Sequence, residues 1–122
     1  MTRTFEITKA ATFDAAHHLH IGPEDSPYRR MHGHSFRVEA TLKGEMRAGE
    51  DWVEDLGELE RALKAVAGDL DHTLLNEKPG LENPTLERLC VYFSDKLRDR
   101  FPGLSRVEVS RPTNGERCVL SL

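Results

Sequence analysis

The histidines are the feature that most constrains how this chain can fold. Five of its six histidines lie between His17 and His34, and His32 and His34 are separated by one glycine. Residues two apart in an extended chain point to the same face, so these two rings can be directed at one point. A third imidazole from a neighbouring strand would complete a site with three nitrogens and an open position, which is typical of catalytic zinc. A loop of exposed, metal-free histidines is the alternative.

The third ligand is expected at the end of an apolar strand that precedes the His-Gly-His motif. Over residues 4–17 the odd positions are mostly apolar, with Lys9 as the exception, which predicts a strand with or without a bulge. This phase places His17 on the same face as Phe13 and His18 on the opposite face. A shift of one residue in register would exchange the two histidines. The pattern therefore favours His17 as the third ligand.

Length and charge limit the class of protein. A chain of 122 residues is expected to form one domain, residues 1–122, that needs no disulfide, with Cys90 and Cys118 as buried thiols. The 17 basic and 21 acidic residues are interspersed, which argues against nucleic-acid or membrane binding, although Arg29-Arg30 could form a local basic pocket. No signal segment or membrane-spanning segment is recognisable, so a cytoplasmic protein is expected.

Secondary structure follows from the periodicity of the apolar residues. After a loop over residues 19–31, alternation predicts a second strand over residues 35–43. Asp55 is expected to cap a helix with Glu58 as its reciprocal partner, and Gly68 to end it. A second helix is expected to begin near Asn83 or Thr85. The apolar stripes of the two helices are more typical of a core than of a cofactor surface: Leu56, Leu59, Leu63 and Val66, then Leu86, Leu89, Cys90, Phe93 and Leu97.

The C-terminal part predicts a hairpin. Strands are expected over residues 105–110 and 117–122, joined by a turn at Pro112-Thr113-Asn114-Gly115. The order strand, strand, helix, helix, strand, strand predicts an α+β domain with both helices on one face of a four-stranded antiparallel sheet. A cupin-type metal barrel also uses a His-x-His motif, but two capped helices and the small number of strands argue against it.

Asp71 and His72 form a second candidate site. Histidine suits proton transfer near neutral pH, and a carboxylate that holds its ring raises its basicity. Adjacent residues on a strand cannot face each other, so direct contact between the two side chains requires a turn or a helix start. A surface histidine in a loop is the alternative.

Four motifs resemble those of the 6-pyruvoyl-tetrahydropterin synthases, and are closest to the bacterial 6-carboxy-tetrahydropterin synthases of queuosine biosynthesis. They occur in family order and span nearly the whole chain: Phe13-x-Ala15-Ala16-His17, His32-Gly33-His34-Ser35-Phe36, Leu70-Asp71-His72-x-x-Leu75-Asn76 and Glu82-Asn83-Pro84-Thr85. The resemblance implies a T-fold, in which trimers pair into hexamers. The sheets of such an assembly join into a barrel, and the active sites lie between subunits.

The resemblance also implies a zinc ion on His17, His32 and His34, and a proton-transfer pair of Asp71 and His72. The family substrate is 7,8-dihydroneopterin triphosphate. Zinc polarises the hydroxylated side chain of the pterin while protons move between carbon and oxygen, and the bacterial branch then cleaves a carbon–carbon bond. We also expect Thr85 and Arg111 to bind the substrate.

Tyr28 and Arg29 depart from the family pattern. Tyr28 stands four residues before His32, where the family has a catalytic cysteine, and Arg29 stands where a related branch has a glutamate. A tyrosine titrates near pH ~10 in its unperturbed form, so it serves as a base at neutral pH only if zinc or an arginine lowers its pKa. Tyr28 is therefore a candidate catalytic residue together with Asp71 and His72.

Arg111 and Pro112 stand where the family anchors the pterin with a glutamate and a threonine. Arginine only donates hydrogen bonds, so it cannot replace a carboxylate, although Glu108 or Glu116 could do so in a different hairpin register. Three interpretations follow. The protein is a pterin lyase with an altered base, an enzyme whose different substrate presents an anion to Arg111, or a non-catalytic protein that binds zinc and a ligand.

Overall fold

The computed structural model describes residues 2–122 as an antiparallel sheet covered by two helices. The strands are adjacent in chain order, and both helices pack on one face of the sheet. The α+β prediction is therefore confirmed. In chain order the elements are β1 (Phe5–His17), β2 (His32–Gly44), α1 (Leu56–Leu70), α2 (Leu86–Leu97), β3 (Leu104–Arg111) and β4 (Glu116–Ser121).

β1 and β2 pair without interruption from Phe5 opposite Gly44 to His17 opposite His32. β2 therefore begins three residues earlier than its apolar alternation predicts, because its backbone pairing continues through the histidines. β1 has no bulge in this pairing; the irregularity of the sheet lies between β2 and β3 instead. Lys9 fits into the apolar phase of β1 because its amine forms an ion pair with Glu60 of α1 at 3.6 Å.

The core lies between one face of the sheet and the two helices. Phe13 of β1 stacks on Phe36 of β2 with ring centroids 5.0 Å apart, and Phe93 of α2 packs against Phe13. The opposite face is polar, as shown by the hydroxyls of Thr8 and Thr41, which are hydrogen-bonded at 2.8 Å. Side chains two apart on a strand share a face, so the core residues also fix which face the histidines occupy.

Asp55 caps α1 as predicted, because its Oδ1 accepts a hydrogen bond from the Gly57 N–H at 2.7 Å. The prediction that Glu58 returns a reciprocal hydrogen bond to the Asp55 N–H is wrong. The Asp55 N–H donates to Glu54 Oε1 at 3.0 Å, and Glu58 forms ion pairs with arginines instead. A carboxylate on the preceding residue thus satisfies the free N–H that the capping box would have satisfied.

α1 also ends later than predicted. Gly68 lies inside the helix, and Leu70 adds a fully buried side chain to the core, which favours a further half turn. Leu56, by contrast, is 43% exposed, so it does not belong to the buried stripe of α1. Among residues 2–122 no helix combines the length and the apolar character that a membrane crossing requires.

β3 and β4 form the predicted hairpin, with Arg111 opposite Glu116 at its closed end. A 3-10 turn over Pro112–Asn114 leads into Gly115, whose φ of 69° lies in the left-handed region that glycine adopts without strain. Cys90 is buried as predicted, but Cys118 of β4 is only half-buried; both thiols are free.

Candidate metal centre

The three histidines predicted as metal ligands come together at one end of the sheet. His17 is the last residue of β1, and it lies directly opposite His32, the first residue of β2. His34 follows on the same face of β2, which is also the face that carries Phe36 and the core. One ligand atom from each ring lies within 4.8 Å of the others. Register alone therefore builds a cluster of three imidazoles.

Backbone carbonyls orient two of these rings. His17 Nδ1 lies 3.1 Å from the Pro84 carbonyl oxygen, and His32 Nδ1 lies 2.6 Å from that of Arg30. A carbonyl only accepts, so each Nδ1 carries a proton and each Nε2 presents a lone pair. The two Nε2 atoms are only 3.0 Å apart, an arrangement that suits a shared cation.

His34 supplies the third nitrogen. Its Nε2 is buried and has no hydrogen-bond partner within the described residues 2–122. Buried polar atoms are rarely left without a partner, and each costs about 1–3 kcal/mol when they are. A metal ion bound to this atom would remove that cost, so the residues present fit a metal.

Burial keeps the ligands in the form that binds metal. Loss of hydration lowers the pKa of His17 to about 4; the Pro84 carbonyl opposes the shift, and the charges of His32, His34 and Arg111 add to it. Burial also lowers the pKa of His34, followed by the charge of Arg111. Both imidazoles are therefore neutral at pH 7, as metal ligation requires. Three imidazole ligands suit zinc, copper, iron or nickel.

The loop before His32 holds Tyr28 and Arg29. The Arg29 guanidinium donates to the carbonyl oxygens of Gly22 and Pro23 at 2.8 to 3.1 Å, so it stabilises the loop, and a basic pocket at Arg29-Arg30 stays a prediction. The Tyr28 side chain is exposed, and its backbone carbonyl accepts a hydrogen bond from the Leu19 N–H at 2.7 Å. Its role as a base stays a prediction.

Asp71 and His72 are in direct contact, with Oδ2 of Asp71 2.9 Å from Nδ1 of His72. The turn that this contact requires is present: Asp71 follows the last turn of α1, and His72 has a φ of 58°. The edge of β1 holds the turn, because the Asp14 N–H donates to Asp71 Oδ1 at 2.8 Å and its carbonyl accepts from the His72 N–H at 2.6 Å.

These contacts keep the Asp71 carboxylate charged. The hydrogen bond from the Asp14 backbone, and next the one from His72, hold the pKa of Asp71 below its usual value. The His72 side chain is 81% exposed. The pair thus combines a fixed anion with an accessible imidazole, which is the arrangement expected of a proton-transfer group.

An open cavity of about 420 Å³ is lined by residues of both segments, among them His34 and His72. Asp14 and Ser35 lie in its wall, and the Ser35 hydroxyl donates to Asp14 Oδ1 at 2.5 Å. Sequence reasoning assigned Asp14 no role. Its position on the polar phase of β1, opposite Ser35 of the recognised motif, was the available signal.

Arg111 and Glu116 lie on the other side of the histidines. Arg111 Nε is 3.3 Å from Glu116 Oε1, and its Nη2 is 3.4 Å from Oε2. The charge of Arg111 lowers the pKa of His17 and His34, whereas Glu116 acts in the opposite direction on His34. Glu108 lies on the opposite face, across from Glu39. Of the two glutamates considered from the sequence, Glu116 is the one at the metal side.

The Glu82-Asn83-Pro84-Thr85 motif lies at the start of α2 and contacts the histidine cluster. Thr85 Oγ1 accepts a hydrogen bond from the Arg88 N–H at 3.1 Å and so caps α2, which settles the choice between Asn83 and Thr85. The Pro84 carbonyl orients His17. A substrate contact of Thr85 stays a prediction.

Comparison with known proteins gives one consistent result. A family model described as 6-pyruvoyl tetrahydropterin synthase matches residues 6–121. The 6-carboxy-5,6,7,8-tetrahydropterin synthase of Synechocystis is 37% identical over 109 residues, which cover 84% of this chain and 83% of that protein. The dihydroneopterin monophosphate aldolase of Pyrococcus furiosus is 34% identical over 97 residues, covering 80% and 78% of the two chains.

The fold agrees with these matches. The structure of Caenorhabditis elegans 6-pyruvoyl tetrahydropterin synthase superposes with a TM-score of 0.83 and covers 99% of this chain and 97% of that one, at 22% identity. The T-fold expected from the sequence is therefore confirmed for the subunit. The chain belongs to the 6-pyruvoyl tetrahydropterin synthase family.

Proposed function

We propose that this protein is a zinc-dependent lyase that acts on the side chain of 7,8-dihydroneopterin triphosphate or of a related dihydropterin. The observation that carries the proposal is the cluster of His17, His32 and His34, in which one ligand nitrogen from each ring lies within 4.8 Å of the others. Relatives that are named as a 6-carboxy-tetrahydropterin synthase and a dihydroneopterin monophosphate aldolase support pterin chemistry.

His17, His32 and His34 would hold the zinc ion through three nitrogens and leave a position open for the substrate. When bound, zinc supplies Lewis-acid polarisation of an oxygen on the pterin side chain. The protein fixes two of the rings through the Pro84 and Arg30 carbonyls. Partners of this kind typically change metal affinity by roughly 10–100-fold when they are removed.

Asp71 and His72 would move the protons. The charged Asp71 holds Nδ1–H of His72. The other ring nitrogen of His72 is then free to take a proton from the side chain of the pterin substrate and to return it. Tyr28 is the candidate for a second proton-transfer group, in a loop that ends at the zinc ligand His32. Thr85 and Arg111 are kept as candidate substrate-binding residues.

We further propose that the protein is a homo-oligomer, a hexamer of two trimers with active sites between subunits. Two observations support this assembly. The cavity beside His72 is open, and β1 and β4 are the edge strands of the sheet, so each can pair with a strand of another copy. A cytoplasmic location and a place in queuosine biosynthesis stay predictions.

The alternatives make different predictions for Arg111. An enzyme for another, anionic substrate would use Arg111 as an anion-binding group, but Glu116 already neutralises this guanidinium. A non-catalytic family member would bind zinc and pterin without turnover. We therefore favour the lyase, in which the Asp71–His72 pair has a function.

The test is zinc analysis followed by incubation with dihydroneopterin monophosphate and triphosphate, with identification of the products. We expect stoichiometric zinc and a product with an altered or shortened side chain. A His72→Ala variant should keep its zinc and lose turnover by roughly 10²–10⁴-fold, the usual contribution of a general base. His20→Ala is the matched control. Zinc-loaded wild-type protein that binds pterins but forms no product would support the non-catalytic alternative and refute the lyase.

A further inference from the structure

We propose that His18 and His20 form a further metal site, which binds one divalent transition-metal ion more weakly than the three-histidine cluster does. Five of the six histidines lie between His17 and His34, and the cluster uses only three of these five. His18 and His20 are the two that remain. The proposal concerns metal binding alone, so it does not depend on the pterin chemistry proposed above.

The two rings are arranged like those of the three-histidine cluster. The ring centroids of His18 and His20 are 4.9 Å apart, and the ring planes meet at 89°. Within the cluster, the three ring pairs are separated by 4.6 to 5.0 Å and meet at 68° to 87°. The spacing of two residues along the chain suits side chains that share one side of it. The His18–His20 pair therefore repeats, with two rings, the geometry of the candidate metal centre.

Hydrogen bonds from three other segments hold the backbone of the pair in place. The Asn76 amide clamps His18, because its Oδ1 accepts from the His18 N–H at 3.0 Å and its Nδ2 donates to the His18 carbonyl at 2.8 Å. The Leu19 N–H donates to a carbonyl of the following loop at 2.7 Å. The His20 N–H donates to Asn83 Oδ1 at 3.3 Å. Since this backbone is already ordered, binding an ion costs little further conformational entropy.

The ring nitrogens of the pair stay available to a ligand. Within residues 2–122, the hydrogen bonds of His18 and His20 are made by their backbone atoms, so no carbonyl or carboxylate occupies a ring nitrogen. The His20 side chain is exposed and that of His18 is half-buried, so an ion can reach the pair from solvent. Two protein ligands leave the other coordination positions to water, which favours weak and reversible binding.

The ligand type selects the class of ion. Imidazole nitrogens suit zinc, copper and nickel, whereas magnesium and calcium prefer oxygen ligands. The pair offers one nitrogen fewer than the cluster, so its affinity for zinc should be the lower of the two. Dialysis should then remove an ion from the pair while the cluster keeps its zinc. The proposed reaction uses the ion in the cluster, so it does not require an occupied pair.

The experiment adds zinc to protein whose cluster is already loaded, and counts the bound ions by equilibrium dialysis and metal analysis at about pH 7.5, where free imidazole is mostly neutral. Wild type should bind one further equivalent of zinc. His20→Gln removes one of two ligands from an exposed position, so it should weaken this equivalent by more than the roughly 10–100-fold that is typical when a supporting group is lost. His72→Gln removes an exposed histidine that faces no second imidazole, and it should leave the further equivalent in place.

His18→Gln distinguishes one shared ion from two independent ones. A shared ion should be lost in His18→Gln and in His20→Gln alike. If wild type instead binds two further ions and each variant loses one, the shared site is overturned. It is also overturned if wild type binds no further zinc up to about 100 μM free zinc, or if both variants retain the further equivalent. Circular dichroism and the zinc of the cluster are measured for every variant and should be unchanged, so failure of this proposal leaves the proposed function standing.

Discussion

The two histidine sites of this chain are built in opposite ways. His17, His32 and His34 sit on paired strands, where the register of β1 and β2 and the adjoining core fix each ring. His72 lies in the turn after α1 and itself adopts the left-handed backbone conformation, and a hydrogen bond to the edge of β1 holds it there. One site is rigid because it is part of the core, and the other is exposed because it is not.

This difference corresponds to the two tasks that the sites would perform. A metal ligand must be neutral and fixed in position, and burial provides both, since it lowers the pKa of His17 and His34. A proton-transfer group must exchange protons with a ligand and with solvent, and an imidazole on the surface can do so. Changes in the first site should therefore affect metal and stability, and changes in the second should affect turnover.

The largest expected effect is the loss of metal from the buried site. His34→Ala removes one of three ligands, so zinc affinity should fall by more than the roughly 10–100-fold that is typical when only a supporting group is lost. Competition with a chromogenic chelator measures this affinity. His18→Ala is the control, since His18 follows the last residue of β1 and does not belong to the cluster. An equal loss in His18→Ala would contradict the observed register.

The same comparison shows how far the sequence determined the site. Alternation around Phe13 favoured His17 over His18 but left a shift of one residue open, and the observed pairing of β1 with β2 places His32 beside His17. Alternation could not show where β2 begins, because histidine and glycine carry no apolar signal. The pairing with β1 extends the strand to His32.

Contacts between distant segments were beyond the sequence. The Pro84 carbonyl reaches His17 from the start of α2, and the Asp14 backbone holds Asp71 from β1. Such contacts involve backbone groups, which every residue carries, so no residue type marks them. The Arg111–Glu116 pair depended on the register of a hairpin whose turn length could not be fixed from the turn residues alone.

A smaller effect is expected when the buried site is protonated. His17 has a pKa of about 4 in the folded protein, against 6.5 as its ordinary value. As the pH falls, His17 takes up a proton in the unfolded chain before it does so in the folded protein. The contribution of neutral His17 to the free energy of unfolding is therefore complete above pH 6.5 and is lost as the pH falls toward 4. The free energy of unfolding of the zinc-free protein should decrease by about 3 kcal/mol over this window.

Urea denaturation in the presence of a chelator, repeated between pH 7 and pH 4, measures this decrease. His34 acts in the same direction, because its pKa is lowered too. A His17→Gln variant should show a shallower dependence on pH. An equal slope in wild type and His17→Gln would show that His17 is not the group responsible.

The smallest expected effect concerns the backbone of the exposed site. A side chain at positive φ costs roughly 1–2 kcal/mol, and glycine avoids this cost but loses about 0.5–1 kcal/mol through the entropy of the unfolded chain. At His72, with a φ of 58°, the cost of a side chain at positive φ is larger than the entropic cost of glycine. His72→Gly should therefore be more stable than His72→Ala by up to about 1 kcal/mol in urea denaturation. At His20, which is not among the positive-φ residues, alanine should be the more stable. If the glycine and alanine variants had the same order of stability at both positions, β1 would not hold His72 in this conformation. The exposed site would then be mobile rather than fixed.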